Sequence, residues 1–315
     1  MVRRGKSMAA LAVLFFLASG FSALAQDEGI VPMKNPPPHT LHLYCLSTGR
    51  FRANYAQMVA GGPWKPVEPP VPVYLIRHPA AWILFDAGFG TKTKEDFLSF
   101  PEKLIPFFLK FDWRPEDSVV SQLRQINLFP DDIRFILLSH LHSDHAGGIR
   151  DFPRATVFVS QSEWEAAQGG HWSNFRKGYI ASQWESERRR IAPINDKVTP
   201  PYQNFEHAHD LFGDGSIILI PTPGHTAGHW SLLLNFPSGK SMLLTADAAW
   251  TTENYQKPAR RGFFARYLTQ HDEAKEWESL GQIRKFTENN LEVMVIPGHD
   301  PTLWPSLKKF PEYYE

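Results

Sequence analysis

The segment His140-Leu-His-Ser-Asp-His-Ala-Gly-Gly148 holds four side chains able to ligate a metal within six residues: His140, His142, Asp144 and His145. His140 and His142 directly follow the apolar run 135–138. Residues i and i+2 of an extended chain project to the same side, so these two imidazoles can grip one ion. Asp144 and His145 come as the chain turns toward Gly147 and Gly148, where they can face a second point nearby. More candidates close apolar runs downstream: His225 and His229 in Pro221-Thr-Pro-Gly-His-Thr-Ala-Gly-His229, Asp247 after 241–245, and His299 after 293–296. Counting one imidazole from the 225–229 turn, five His and two Asp exceed the three protein ligands that one catalytic zinc needs beside its water. The count implies two metals, and chemistry by an activated water that needs no Ser or Cys nucleophile.

Such residues work only if something rigid presents them. Residues 71–77 and 81–85 read as two strands joined at His78-Pro79 and running into Asp86-Ala-Gly-Phe-Gly90. Runs 135–138, 156–159, 216–220, 230–234, 241–245 and 293–296 read as further buried strands. The spacing of Val119, Leu123 and Ile126 predicts a helix over 115–126, and two more are expected over 162–167 and 272–288. Polar residues at the ends of apolar strands mark a site on a sheet edge, since the strand fixes the residue and the following loop exposes it.

Composition removes whole classes of function. The 33 Lys+Arg balance 33 Asp+Glu over 315 residues, but Met1 to Ala25 contains three of the bases and no acid. The remainder therefore carries 30 bases against 33 acids, a net charge of −3, which argues against nucleic acid as a partner. A basic start, the apolar run from Met8 to Ala18 and the small-residue site Ala23-Leu24-Ala25 follow the plan of a secretory signal peptide over residues 1–25. The expected location is then exported, in a periplasm or secreted, with no stable membrane insertion after cleavage. Residues 26–38, with Pro32 and Pro36 to Pro38, read as an extended leader, and 39–315 as a single domain. Cys45, the lone cysteine, permits no intrachain disulfide and is expected to be a buried apolar residue.

These motifs resemble the metallo-β-lactamase superfamily, and within it they are most similar to the N-acyl homoserine lactonases, from residue 71 to His299. The resemblance implies an α/β fold, a four-layered αβ/βα sandwich with a dinuclear site along the shared sheet edge. It assigns His140, His142 and His225 to one metal, Asp144, His145 and His299 to the other, and Asp247 as the bridge. His229 is left as a hydrogen-bonding residue, and Asp86 as the buttress of a ligand. The metals would be zinc, with iron, manganese or cobalt as substitutes for such ligands. A hydroxide held between them would attack a carbonyl, with Asp144 carrying the proton to the leaving alkoxide.

For substrate, the resemblance implies a small ester or lactone, foremost an N-acyl homoserine lactone. An organophosphate or aryl-ester hydrolase on the same site is the alternative, and a β-lactamase or a non-catalytic metal-binding protein stands further off. One departure bears on this choice. Where the lactonases commonly place a Tyr three residues after the bridging Asp, able to donate to the substrate carbonyl, this chain has Trp250. The aromatic segment 97–113 sits where relatives place a lid or acyl-chain groove, or else packs in the core or a homodimer. Residues 169–191 look like an inserted helical cap. Arg260 and Arg261 are expected to be solvated, and His39, His42, His78, His171, His207, His209 and His271 to lie outside the site.

Overall fold

The computed structural model describes residues 40–257, 259–269 and 271–315, so the signal peptide and leader expected over 1–38 lie outside the described residues. Fourteen strands form two sheets among these residues. The first eight belong to one sheet: β1 (His42–Asn54), β2 (Pro66–Val67), β3 (Pro70–His78), β4 (Ala81–Phe85), β5 (Lys110–Asp112), β6 (Ile133–Leu137), β7 (Thr156–Ser160) and β8 (Ile191–Ile194). The next five make the second: β9 (His209–Asp210), β10 (Ile217–Pro221), β11 (Trp230–Asn235), β12 (Ser241–Ala246) and β13 (Met294–Pro297). The last, β14 (Tyr313–Tyr314), returns to the edge of the first sheet beside β1. The first sheet runs in the order β14-β1-β3-β4-β6-β7-β8, with parallel pairing from β4 to β8. The second runs β13-β12-β11-β10-β9 and is antiparallel except for β12 with β13.

Strand side chains alternate, and the alternation sorts the core into layers. Leu43, Ile83, Phe85 and Leu137 of the first sheet pack against Leu219, Leu232, Leu244 and Ile296 of the second. Their neighbours Leu84, Ile136 and Val157 face the other way, into an outer layer that supplies Val119 and Leu123 from a short helix and Trp184 from the turn between two 3-10 segments. On the far side, Leu233, Leu243 and Val295 meet Leu280, Ile283 and Phe286 of the helix Glu273–Asn289. Both sheets are covered on both faces, which is why their strands read as unbroken apolar runs. The result is the four-layered αβ/βα sandwich.

Three local expectations need correction. Residues 115–126 do not form one helix: Ser118 is extended and caps a short helix Val119–Leu123 by accepting from Ser121 N, and left-handed Asn127 (φ 56°) ends the segment. Residues 97–113 are in part sheet, because β5 pairs with the end of β1; Phe97 is buried, while Leu98, Phe100 and Phe107 are exposed. Residues 169–191 are no separate cap, since Tyr179 and Trp184 join the core on the outer face of the first sheet.

Candidate active site

The strands β4, β6, β10, β12 and β13 all end at one edge, and the loops leaving them carry Asp86, His140 to His145, His225, Asp247 and His299. The sheets are tied there by Trp230 N donating to Ser139 O at 2.9 Å. Two of these turns use backbone that L residues seldom adopt: Asp86 has φ 62° and Ala246 φ 43°. Gly298 is needed where the β13 loop crosses β12, because a Cβ there would lie 2.6 Å from Ala246 O. Strain accepted at strand ends that converge on one point indicates that the point matters more than local stability.

The seven candidate ligands come together, all buried, in overlapping groups. His225 Nε2 lies 3.2 Å from His140 Nε2 and 2.9 Å from His142 Nδ1. Asp144 Oδ2 lies 3.3 Å from His145 Nε2 and 3.6 Å from His299 Nε2. Asp247 sits between the groups. Its Oδ1 is 3.2 Å from His145 Nε2 and 3.0 Å from His299 Nε2, and its Oδ2 is 3.1 Å from His225 Nε2.

The other ring nitrogens are spoken for, which fixes which atom each imidazole presents. His142 Nε2 donates to Lys177 O at 2.8 Å, and His299 Nδ1 to Pro70 O at 2.8 Å. His145 Nδ1 donates to Asp86 Oδ2 at 2.7 Å. Asp86 also accepts from Ser139 N and from Ser139 Oγ, and that hydroxyl lies 2.9 Å from His140 Nδ1. His225 is the exception: its Nδ1 lies 2.7 Å from the Arg261 guanidinium, which cannot accept a hydrogen bond, so this contact does not hold the ring in the tautomer that frees Nε2. His229 stays out of the groups. Its Nε2 accepts from Asp247 N at 3.0 Å and its Nδ1 meets Thr222 Oγ1 at 2.9 Å, so it orients the backbone that carries Asp247.

The electrostatics divide the site in two. Burial, with mutual repulsion among the rings, pushes His140 well below the ordinary imidazole range, and burial also lowers His142 and His225. These three are neutral, the form that binds metal. Burial alone would also lower His145 and His299, but the facing carboxylates raise both. The same histidines overcome the upward pull of burial on Asp144 and Asp247 and hold both below the carboxylate range. His145 Nε2 and Asp247 Oδ1 are buried and hydrogen-bonded to nothing. Two buried lone-pair atoms 3.2 Å apart, in a set of five imidazoles and two carboxylates, fit divalent cations of the zinc type.

Trp250 stands beside this set, but its indole N–H donates to Asp247 Oδ2 at 2.7 Å. The expectation of two solvated arginines holds for Arg260, which is exposed and paired with Glu273, and fails for Arg261. Arg261 is 3 % exposed, its guanidinium lies 4.6 Å from the centroid of the Trp250 ring, and it is ion-paired with Glu276. Burial lowers its pKa to about 10. Cys45 is buried with its thiol pushed up to about 12. Ser139, Lys177 and Glu163 are supports the sequence reading did not single out. Of these only Ser139 had a signal, its place immediately before His140.

Comparison with known proteins agrees with this geometry. The profile of the metallo-beta-lactamase superfamily matches residues 67–299. The N-acyl homoserine lactonase AttM of Agrobacterium fabrum is 32% identical over 87% of this chain and 98% of its own length. An N-acyl homoserine lactonase of Bacillus thuringiensis is 27% identical over 86% of this chain and 98% of its own. Among solved structures, an N-acyl homoserine lactone hydrolase with N-hexanoyl-L-homoserine at its catalytic metal centre superposes with a TM-score of 0.70 at 25% identity, covering 87% of this chain and 98% of that one. The match over residues 67–299, the two facing sheets and the clustered His and Asp at their shared edge make this chain a hydrolase of the metallo-β-lactamase superfamily.

Proposed function

We propose that this chain is an exported dinuclear-metal hydrolase that opens a lactone, foremost an N-acyl homoserine lactone. The observation that carries the metal count is Asp247, whose two oxygens reach separate ligand groups at 3.0 to 3.2 Å. Likeness to lactonases along almost their whole length supports the substrate class. His140, His142 and His225 would hold one cation, Asp144, His145 and His299 the other, with Asp247 shared. Zinc suits this donor set, and iron, manganese or cobalt can replace it. When bound, such cations polarise a carbonyl oxygen and make water acidic enough to act as nucleophile near neutral pH.

The protein's part is orientation and proton handling. Asp86, Lys177 O and Pro70 O fix the rings of His145, His142 and His299 before any substrate arrives. Asp144, with a side chain 12% exposed at the open side of its group, is placed to take the proton of the attacking water and return it to the leaving alkoxide. Trp250 offers the carbonyl no free donor. That feature favours the organophosphate part of the second reading, an organophosphate or aryl-ester hydrolase, because a phosphotriester has no acyl carbonyl to be polarised by a donor at this position. Leu98, Phe100 and Phe107 present an apolar face to an acyl chain or to a second copy of the chain.

A pH-indicator screen over lactones of varied acyl length, phosphotriesters and a chromogenic β-lactam tests the reading. Acid release from lactones is expected. Turnover of phosphotriesters with silence on every lactone would overturn it. Export is checked by N-terminal sequencing of the mature protein, expected to begin at Gln26.

A further inference from the structure

Glu163 lies outside the ligand groups, yet it touches the loops that carry one of them. It belongs to the short helix Gln161–Ala166 and is fully buried. Its Oε1 accepts from Leu141 N at 3.0 Å, and its Oε2 from Gly228 N at 3.0 Å. Leu141 is the residue between His140 and His142, and Gly228 lies in the turn that begins with His225. One carboxylate thus holds both loops whose imidazoles converge at 2.9 to 3.2 Å. A buried carboxylate is costly, and it is retained where each oxygen satisfies a donor that would otherwise be orphaned.

The clamp has a second strand. Ser160 Oγ donates to Gly228 O at 2.6 Å while accepting from Glu163 N at 3.0 Å. The helix end and the 225–229 turn are in contact so close that a Cβ on Gly228 would lie 2.0 Å from Ser160 Oγ. The Tyr179 phenol also hydrogen-bonds Glu163, and the Tyr179 backbone bridges to His142. The rings of the other group are held instead by Asp86 and Pro70 O.

We propose that Glu163 is a positioning residue for the three-histidine group, setting the gap between the His140–His142 loop and the His225 turn and hence the metal affinity of that half of the site. The proposal rests on the reading of the seven ligands as a two-metal site. An amide at this position can accept at one oxygen only, and its NH2 would face a backbone N–H, so Glu163→Gln breaks one of the two ties at almost constant volume.

The test is a cobalt(II) titration of the metal-stripped full chain, followed by visible absorption and metal analysis. Wild type is expected to take up two equivalents. Glu163→Gln is expected to bind one as tightly as wild type and the other about 10- to 100-fold more weakly, with the spectrum at one equivalent matching that of His142→Ala and not His299→Ala. In turnover, kcat should fall while KM for the lactone stays near wild type. Ser160→Ala, which removes the second strand only, should weaken the same equivalent by less, and it carries the test if Glu163→Gln does not fold. Wild-type affinity for both equivalents, or equal weakening of both, overturns the proposal. Fewer than two equivalents in wild type itself would instead remove the two-metal reading, and the proposal with it.

Discussion

The Trp250 indole N–H is committed to Asp247 Oδ2 at 2.7 Å, so this side chain serves the carboxylate between the ligand groups and leaves no donor for substrate. Arg261 covers the ring at 4.6 Å and keeps it in place. Removing the donor while keeping an aromatic ring should therefore act through Asp247. Trp250→Phe is expected to lower kcat about tenfold and to weaken metal binding by a similar factor, the scale typical of partners to metal ligands. Unchanged kcat with unchanged metal content would show the hydrogen bond to be incidental. Trp250→Tyr restores a phenol and is expected to raise turnover of lactones relative to phosphotriesters, read as a ratio of kcat/KM values.

Much of this site was legible because its ligands sit in short motifs at strand ends. His140, His142, Asp144 and His145 fall within six residues, and the apolar run before them reads as a strand whichever face it buries. The second half was harder. Choosing His225 over His229 needed the family, because both occupy one glycine turn; the structure separates them by what each faces, Asp247 Oδ2 for one and Asp247 N for the other. Glu163 was hidden for a different reason. Ser160 caps the helix by accepting from Glu163 N, but the Glu163 side chain leaves the helix to bind two loops distant in sequence, which no local pattern announces. Arg261 looked solvated because its neighbours Arg260 and Lys257 are, and nothing local announces that Trp250 and Glu276 will bury it.

Asp86 carries three hydrogen bonds, from Ser139 N at 2.7 Å, Ser139 Oγ at 2.9 Å and His145 Nδ1 at 2.7 Å. Its φ of 62° is one that Asn also tolerates, so Asp86→Asn tests the side chain without disturbing the backbone. The amide cannot accept from all three donors. Affinity for the equivalent held by Asp144, His145 and His299 is expected to drop about 10- to 100-fold, measured in the same cobalt titration. Because Ser139 Oγ also lies 2.9 Å from His140 Nδ1, a smaller weakening of the three-histidine equivalent is expected beside it. Weakening confined to that equivalent, the pattern expected of Glu163→Gln, would contradict the placement of Asp86 as the support of His145.

Metal binding should also be folding energy, because the ligands come from four different strand ends that only the folded chain assembles. Stripping with a chelator is expected to lower the wild-type Tm. With free metal at roughly 100 times Kd, the bound form gains about 2.7 kcal/mol per site. His142→Ala and Asp247→Ala should each abolish turnover and lower the Tm measured with metal. For Asp247→Ala, which removes the shared ligand but leaves three to each cation, the difference between stripped and loaded Tm should shrink. Scanning calorimetry with and without chelator measures it, and a chelator-insensitive wild type would show that metal does not contribute to stability.

A pH-dependent term can be isolated far from the ligands, at the opposite end of β4 from Asp86. His78 is 5% exposed, stacks on Phe212 with ring centroids 4.0 Å apart, and accepts from Ala80 N through Nδ1. Burial lowers its pKa from the ordinary 6.5, with Asp214 opposing in part. The unfolded chain therefore takes up a proton here more readily than the folded one. The stability contributed by neutral His78 is complete above pH 6.5 and diminishes as pH falls below it, toward the depressed folded value. His78→Phe keeps the stack and removes the titration. Wild type should be the more stable of the two at pH 8, where Ala80 N and Asp214 retain their partner, and that advantage should narrow steadily on acidification. The site histidines titrate in both proteins and cancel in the difference. Parallel Tm curves for the two proteins between pH 8 and 5 would remove His78 as a source of acid sensitivity.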